Sequence, residues 1–247
     1  MRLDWLIARP IAHRGLHDAA AGVIENTASA FAAAIAGGYA IECDLQVSAD
    51  GEAMVHHDAA LGRLTEGGGR LADKSAAALQ AVGFKATSDR MLTLGELCDL
   101  VAGRATLAVE LKSHFDGDLR LVERCAAVLA HYQGPIAVKS FDPAFVATFR
   151  HKAPSLTRGI VAERYYRHSE WQRLTQAQRR SMAHLLHWPR TRPHFVAYAA
   201  KDLPAAPCWV AHKVLGLPLL AWTVRNDEER RHALRFADQV IFEGFRA

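Results

Sequence analysis

Nine short apolar runs punctuate this chain, and several of them end on charged residues. They lie near residues 10–14, 40–47, 53–57, 106–112, 135–140, 158–162, 194–198, 218–223 and 239–242. Helix signals fill most of the intervals. Asn26 or Thr27 opens a helix that stops at Gly37-Gly38. Thr93 and Glu96 form a capping box before a helix that ends at Gly103. Asp142-Pro143 supplies an N-cap with proline at the first helical position. Thr175 with Gln178 and Asn226 with Glu229 repeat the capping spacing. Strands alternating with helices form parallel α/β folds, and strands that end on ionic groups deliver chemistry to one mouth of a barrel. The chain has 247 residues, half of them hydrophobic, which suits one (β/α)8 barrel of about 250 residues. A single TIM-barrel domain over residues 1–247 is the predicted fold.

Nine strands exceed the barrel by one, and Ser48-Ala49-Asp50-Gly51 explains the surplus. So short a link cannot be a parallel crossover, which needs about a dozen residues. Asp-Gly favours a tight hairpin. Residues 53–57 should therefore run antiparallel to 40–47, leaving eight strands for the barrel. With Asp50-Gly51 as a two-residue turn, Asp44 lies opposite His57 and Gln46 opposite Val55. His57 then faces inward and His56 outward. Residues 59–103 interrupt the strand–helix rhythm with Gly67-Gly68-Gly69 and two short helical patterns, near 75–82 and 94–102. They read as a small insertion over the mouth, after the second strand's hairpin. The glycine run reads as a turn, because no GxxxxGK[ST] or GxGxxG pattern is present.

Glu42 and Asp44 alternate on one strand and so share a face, while Cys43 points the other way. Two inward carboxylates need neutralising, either by a cation or by Arg and Lys partners. Glu110, from the run LAVELK, adds a third. Three carboxylates suit one divalent cation, Mg²⁺ or Ca²⁺, better than zinc. Lys112 reaches the same mouth as a counter-charge or a phosphate contact. His13 ends the first strand as an acid/base candidate or as a merely hydrogen-bonded residue. Arg14 beside it suits an anion. His57 is the second histidine candidate, with Asp58 placed to orient an imidazole or to fix the loop. His17 reads as a solvated loop residue. Trp222 would cover a glycerol-like part of a ligand or pack in the core. Glu25 and Glu243 are further mouth candidates. Residues 163–192 read as an amphipathic outer helix.

The formal charge of +4 is small and dispersed; it permits an anionic substrate without indicating nucleic acid. Cys43, Cys98, Cys125 and Cys208 contain no CxxC pair and read as buried, reduced thiols. The apolar run Trp5–Ala8 is too short for a secretory signal, and no 18-residue apolar stretch exists. A cytoplasmic protein without a transmembrane segment is expected. Its oligomeric state is left open.

The segments IAHRG, ENTASAF, IECDLQVSADGEAMVHHD, LGRLTEG, TLGEL, LAVELK, VKSFD and LLAWTVRN follow in order from residue 11 to about 226. Together they resemble the glycerophosphodiester phosphodiesterase family, and the combination HRG…ENT…ExD…HD…ExK is specific. The resemblance implies a TIM barrel that hydrolyses small glycerophosphodiesters to glycerol 3-phosphate and an alcohol, using a divalent cation. It implies His13 and His57 as the acid/base pair, Glu42, Asp44 and Glu110 as metal ligands, and Arg14 and Lys112 as phosphate contacts. The chain departs from the family where members commonly end the last strand with Thr-Asp and a nearby proline; here the text is VIFEGFRA. The stretch 163–195 has no clear counterpart either. A lysophospholipase D or sphingomyelinase D-like enzyme is one alternative and would need an apolar rim. A non-catalytic barrel that binds a metal and a phosphorylated ligand is another, expected if one of the five acid/base and metal residues were missing. All five are present.

Overall fold

Parallel strands buried on both faces are apolar almost throughout, and the runs read above become such strands. The computed structural model describes residues 3–247. The strands are β1 (Ile11–Ala12), β2 (Ala40–Val47), β3 (Ala53–Val55), β4 (Leu107–Leu111), β5 (Ile136–Ser140), β6 (Thr157–Ala162), β7 (Phe195–Ala199), β8 (Leu219–Val224) and β9 (Gln239–Phe242). Eight of them pair in parallel in the order β1-β2-β4-β5-β6-β7-β8-β9, and β9 returns to β1. The sheet is thus a closed (β/α)8 barrel, with β3 attached antiparallel to β2.

Two apolar layers hold it. Inside, Ile11, Ala40, Ala108, Phe195, Ala197 and Ile241 fill the barrel, joined by Leu3 and by Leu6 of the helix Asp4–Ile7 ahead of β1. Outside, Cys43, Leu45, Val109, Val138, Ile160 and Val196 pack against the helices. Phe31, Leu97, Cys125 and Phe149 face them from the helices Ala28–Ala36, Leu94–Val101, Arg120–Leu129 and Pro143–Lys152. Each large side chain buried here stabilises by roughly 1.5–3 kcal/mol. All four cysteines are buried free thiols. No helix among the described residues is long and apolar enough to cross a membrane.

The hairpin differs from expectation by one residue. β3 pairs Leu45 with Val55, Gln46 with Met54 and Val47 with Ala53. The connection is a three-residue loop, Ala49 to Gly51, closed by Ser48 and Glu52: the Ser48 N–H donates to Glu52 O at 2.9 Å. Gly51 at φ +84° supplies the left-handed residue that ends such a loop. Asp44 therefore lies opposite His56, whose N–H donates to Asp44 O at 3.0 Å. His56 is buried rather than outward. His57 lies beyond the end of β3, so strand alternation does not set its direction.

Leu61, Leu71, Leu79, Phe84 and Met91 of the segment after the hairpin bury one another with Ile24 and Met54. The helix Leu94–Val101, by contrast, gives Leu94, Leu97 and Val101 to the main outer core and so serves as a barrel helix leading to β4. Residues 163–192 are not one outer helix. A 3-10 turn Ser169–Arg173 precedes the helices Gln176–Ala183 and Trp188–Thr191. The capping box of Thr175 and Gln178 starts a new helix, and Leu185 at φ +56° interrupts the next turn. Tyr166 and Trp171 turn inward and are buried.

Candidate active site at the barrel mouth

Register brings the charged residues together. In the parallel pairing Asp44 aligns with Glu110, and Glu110 with Lys139, so β2, β4 and β5 set them in one row. Glu42, Asp44, Glu110 and Lys139 are all buried. Oxygens of the three carboxylates lie within 4.8 Å of one another.

Three cations face them. Lys139 Nζ lies 2.9 Å from Glu42 Oε1 and also pairs with Glu110 Oε2. Lys112 Nζ is 2.6 Å from Glu110 Oε1 and 2.9 Å from Asp44 Oδ1. Arg14 Nε is 3.2 Å from Asp44 Oδ2, and its backbone N–H donates to Glu42 Oε2 at 3.0 Å. Arg14 at φ +58° is followed by Gly15 at φ +81°, a sharp turn that presents the guanidinium to the mouth. Asn26 Nδ2 donates to Asp44 Oδ2 at 3.0 Å and its Oδ1 accepts from the Asp44 N–H at 3.2 Å. Asn26 thus fixes Asp44, and Thr27 is the residue that caps the helix. Burial disfavours the Asp44 charge, yet Lys112, His57 and Arg14 hold its carboxyl well below the ordinary range. Burial acts likewise on Glu110, which Lys112 and Lys139 bring down to about 2. Asp44 and Glu110 are therefore ionised at neutral pH.

The two candidate histidines share one design. The Nδ1–H of His13 donates to Glu243 Oε2 at 2.5 Å, and that of His57 to Asp58 Oδ1 at 2.7 Å. An ionised carboxylate only accepts, so each ring carries its proton on Nδ1 and leaves Nε2 as the basic nitrogen. His13 Nε2 lies 3.9 Å from Glu42 Oε2. Glu243 is held at about 2, burial being outweighed by its hydrogen bond to His13 and by the charges of Arg225 and Arg14. Asp58 is tied to Arg63 Nε at 2.5 Å, and Arg63 also reaches Glu25 Oε1 at 2.7 Å. Glu25 in turn accepts from Arg14 Nη1 at 2.7 Å. One ionic chain thus links both sides of the mouth.

Each of the eight predicted site residues lies at this mouth, Trp222 at the edge where its ring meets Phe141 at 5.4 Å. Lys139 went unread in the sequence, although VKS places it next to the end of a strand, where an inward charge was the signal. His17 is not solvated: it is partly buried, with Nε2 4.0 Å from Glu243 Oε2. Glu243 does more than a peripheral candidate would.

Could this donor set hold a divalent cation? Hard cations bond oxygens at about 2.0–2.6 Å, so ligand oxygens around one ion lie up to about 5 Å apart. The 4.8 Å cluster meets that requirement. Asp44 Oδ1 faces Lys112 Nζ at 2.9 Å, so an ion seated on the three carboxylates would share this buried oxygen with the ammonium. The residues fit the group.

Fold and site together define a TIM barrel whose mouth combines an acidic cluster, basic partners and two carboxylate-held histidines. The model of the glycerophosphoryl diester phosphodiesterase family matches residues 13–242, and the chain belongs to that family. It is 29% identical over 161 residues to a glycerophosphodiester phosphodiesterase of Caldanaerobacter subterraneus subsp. tengcongensis, a match covering 61% of this chain and 65% of that protein. An Oleispira antarctica phosphodiesterase, solved in complex with the product sn-glycerol-3-phosphate, superposes with a TM-score of 0.78 at 19% identity, covering 96% of this chain and 92% of that one. The glycerophosphodiester phosphodiesterase of Thermotoga maritima gives 0.70 at 21% identity over 94% and 92%.

Proposed function

We propose that this mouth hydrolyses glycerophosphodiesters to glycerol 3-phosphate and an alcohol with the help of one divalent cation, Mg²⁺ or Ca²⁺. The observation that carries the reading is the buried cluster of Glu42, Asp44 and Glu110 flanked by two histidines with free Nε2 atoms. A cation on the three carboxylates would offset negative charge on the phosphate and on the attacking and leaving oxygens. Arg14 and Lys112 stand beside the cluster to bind non-bridging phosphate oxygens. One histidine, neutral, takes the proton of the attacking oxygen at its bare Nε2; the other starts as the imidazolium, paired with its carboxylate through Nδ1–H, and gives its Nε2 proton to the leaving alkoxide. Glu243 and Asp58 hold the two rings in the orientation this requires. The ring of Trp222 offers an apolar face for the glycerol carbons. The family and the product bound to the Oleispira antarctica protein support this substrate class. A lysophospholipid substrate would need an apolar rim, and the apolar residues of the inserted segment are consumed in their own cluster.

The test is hydrolysis of glycerophosphocholine and glycerophosphoethanolamine, with coupled detection of glycerol 3-phosphate, in Mg²⁺, Ca²⁺ or chelator. Wild type should turn over only with cation. His13→Ala and His57→Ala should each lower kcat by about 10²–10⁴-fold while still binding Ca²⁺ in calorimetry. Folded wild type that binds the cation and cleaves neither diester would sink the reading.

A further inference from the structure

Beyond His57 the mouth opens into a cavity of about 670 Å³, the size of a small-molecule site. Its floor is aromatic. Phe141 meets Trp171 at 4.8 Å, and Phe115 meets Trp171 edge-on at 6.0 Å. Trp171 is fixed from below, where its Nε1–H donates to buried Glu163 at 2.8 Å.

The ionic lining is one-sided. Both carboxylates in the wall are answered: Glu110 by Lys112 and Lys139, Asp58 by His57 and Arg63. Two cations of the wall, Arg70 and Arg173, make no side-chain hydrogen bond or ion pair among the described residues. They come from different segments, Arg70 ahead of the 3-10 turn Leu71–Asp73 and Arg173 at the end of Ser169–Arg173. Both act on His114 in the same wall: burial lowers that imidazole first, Asp116 and Asp118 from the following loop favour its charge, and the two guanidiniums oppose it. An aromatic floor alone could attract a quaternary ammonium. Two uncompensated guanidiniums reverse that preference, because their forked donors match a phosphate or carboxylate.

We propose that this cavity receives the alcohol arm of the diester and selects an arm that carries an anionic group of its own over a neutral or cationic arm. The inference rests on the diesterase reading of the adjoining site. It assigns Arg70 and Arg173 as specificity residues remote from the bond being cleaved. Such a substrate would come from reactions that strip acyl chains from anionic glycerolipids.

The experiment compares kcat/KM for three diesters of glycerol 3-phosphate: with choline, with glycerol, and with glycerol bearing a terminal phosphate. It uses wild type and the double variant Arg70→Gln/Arg173→Gln. Both arginines are exposed, so the variant should fold, and its thermal unfolding is recorded. Wild type should prefer the phosphate-bearing arm to the neutral one by about tenfold at low ionic strength, less at high salt, with choline last. The double variant should bring the ratio of anionic to neutral arm to about one. If wild type cleaves all three at equal efficiency, or the variant keeps the preference, the subsite is overturned while the diesterase reading stands. If folded wild type cleaves none of them, the diesterase reading falls and takes the subsite with it.

Discussion

Lys139 is the residue whose charge would bear most directly on the binding of a cation by the carboxylate cluster. Its ammonium bridges Glu42 and Glu110, two of the three carboxylates of the cluster. With Lys112 and Arg14 it balances the cluster's three negative charges. A divalent ion entering the cluster therefore meets repulsion and must share oxygens with a resident cation. Lys139→Met should tighten Ca²⁺ binding at least ~10-fold, or about 1.4 kcal/mol. Without cation the same variant leaves carboxylates uncompensated and should lose roughly 3–5 kcal/mol of stability. Calorimetric titration and urea unfolding read the two effects, and unchanged affinity would refute the competition. Glu243 acts one step further out, through His13. Glu243→Gln should lower kcat about tenfold or more with little change in KM, because it loosens the tautomer and tilt of the ring; Glu243→Asp should restore part of the rate.

At the scale of elements, the β2–β3 hairpin shows how local chemistry sets register. A one-residue change in loop length moved the partner of Asp44 from His57 to His56. Gly51 holds the loop at φ +84°, and a Cβ there would meet nothing within 4 Å. Gly51→Ala should thus cost only the left-handed backbone penalty, about 1–2 kcal/mol. In a chain of this size that lowers Tm by roughly 2–4 °C per kcal/mol. Gly15→Ala should cost more, since its Cβ would lie 2.8 Å from the Ala30 backbone and displace the turn that carries Arg14. Calorimetry on the two variants separates a strained turn from a disrupted one. Residues 163–192 show the opposite case, in which helical propensity yielded to tertiary burial of Tyr166 and Trp171 against Phe141.

For the whole molecule, acid stability follows from groups whose proton affinity differs between the folded and unfolded chain. His187 is buried, with Nδ1 against Thr191 Oγ1 at 3.2 Å, and burial holds it down at about 4, helped by Arg190. In the unfolded chain it titrates near 6.5. Between those values the unfolded state binds more protons, so stability rises with pH through the window and falls on acidification. Every tenfold difference in proton affinity between the two states is worth about 1.4 kcal/mol. The urea midpoint should decline from pH 6.5 towards pH 4, and His187→Gln should flatten the decline. Below about pH 4.5 the depressed carboxylates Glu110 and Glu243 should deepen the loss, because their stabilising charge disappears as they protonate.

Local patterns in the sequence determined the eight barrel strands, the antiparallel ninth, most helix caps, and the identities of Glu42, Asp44, Glu110 and His13 as mouth residues; His57 reaches the mouth beyond the end of β3, not through the strand register first read for it. Those features depend on alternation, capping spacing and residue type, all of which act over a few neighbours. Tertiary structure alone decided the rest. Lys139 became a partner of Glu42 and Glu110 only when β5 aligned with β4 across a gap of 29 residues. Glu243 met His13 only when β9 closed on β1. Trp171, Arg70 and Arg173 share a cavity because two segments far apart in the chain fold over one mouth. Such contacts depend on which strands lie side by side when the barrel closes, and no local spacing encodes that.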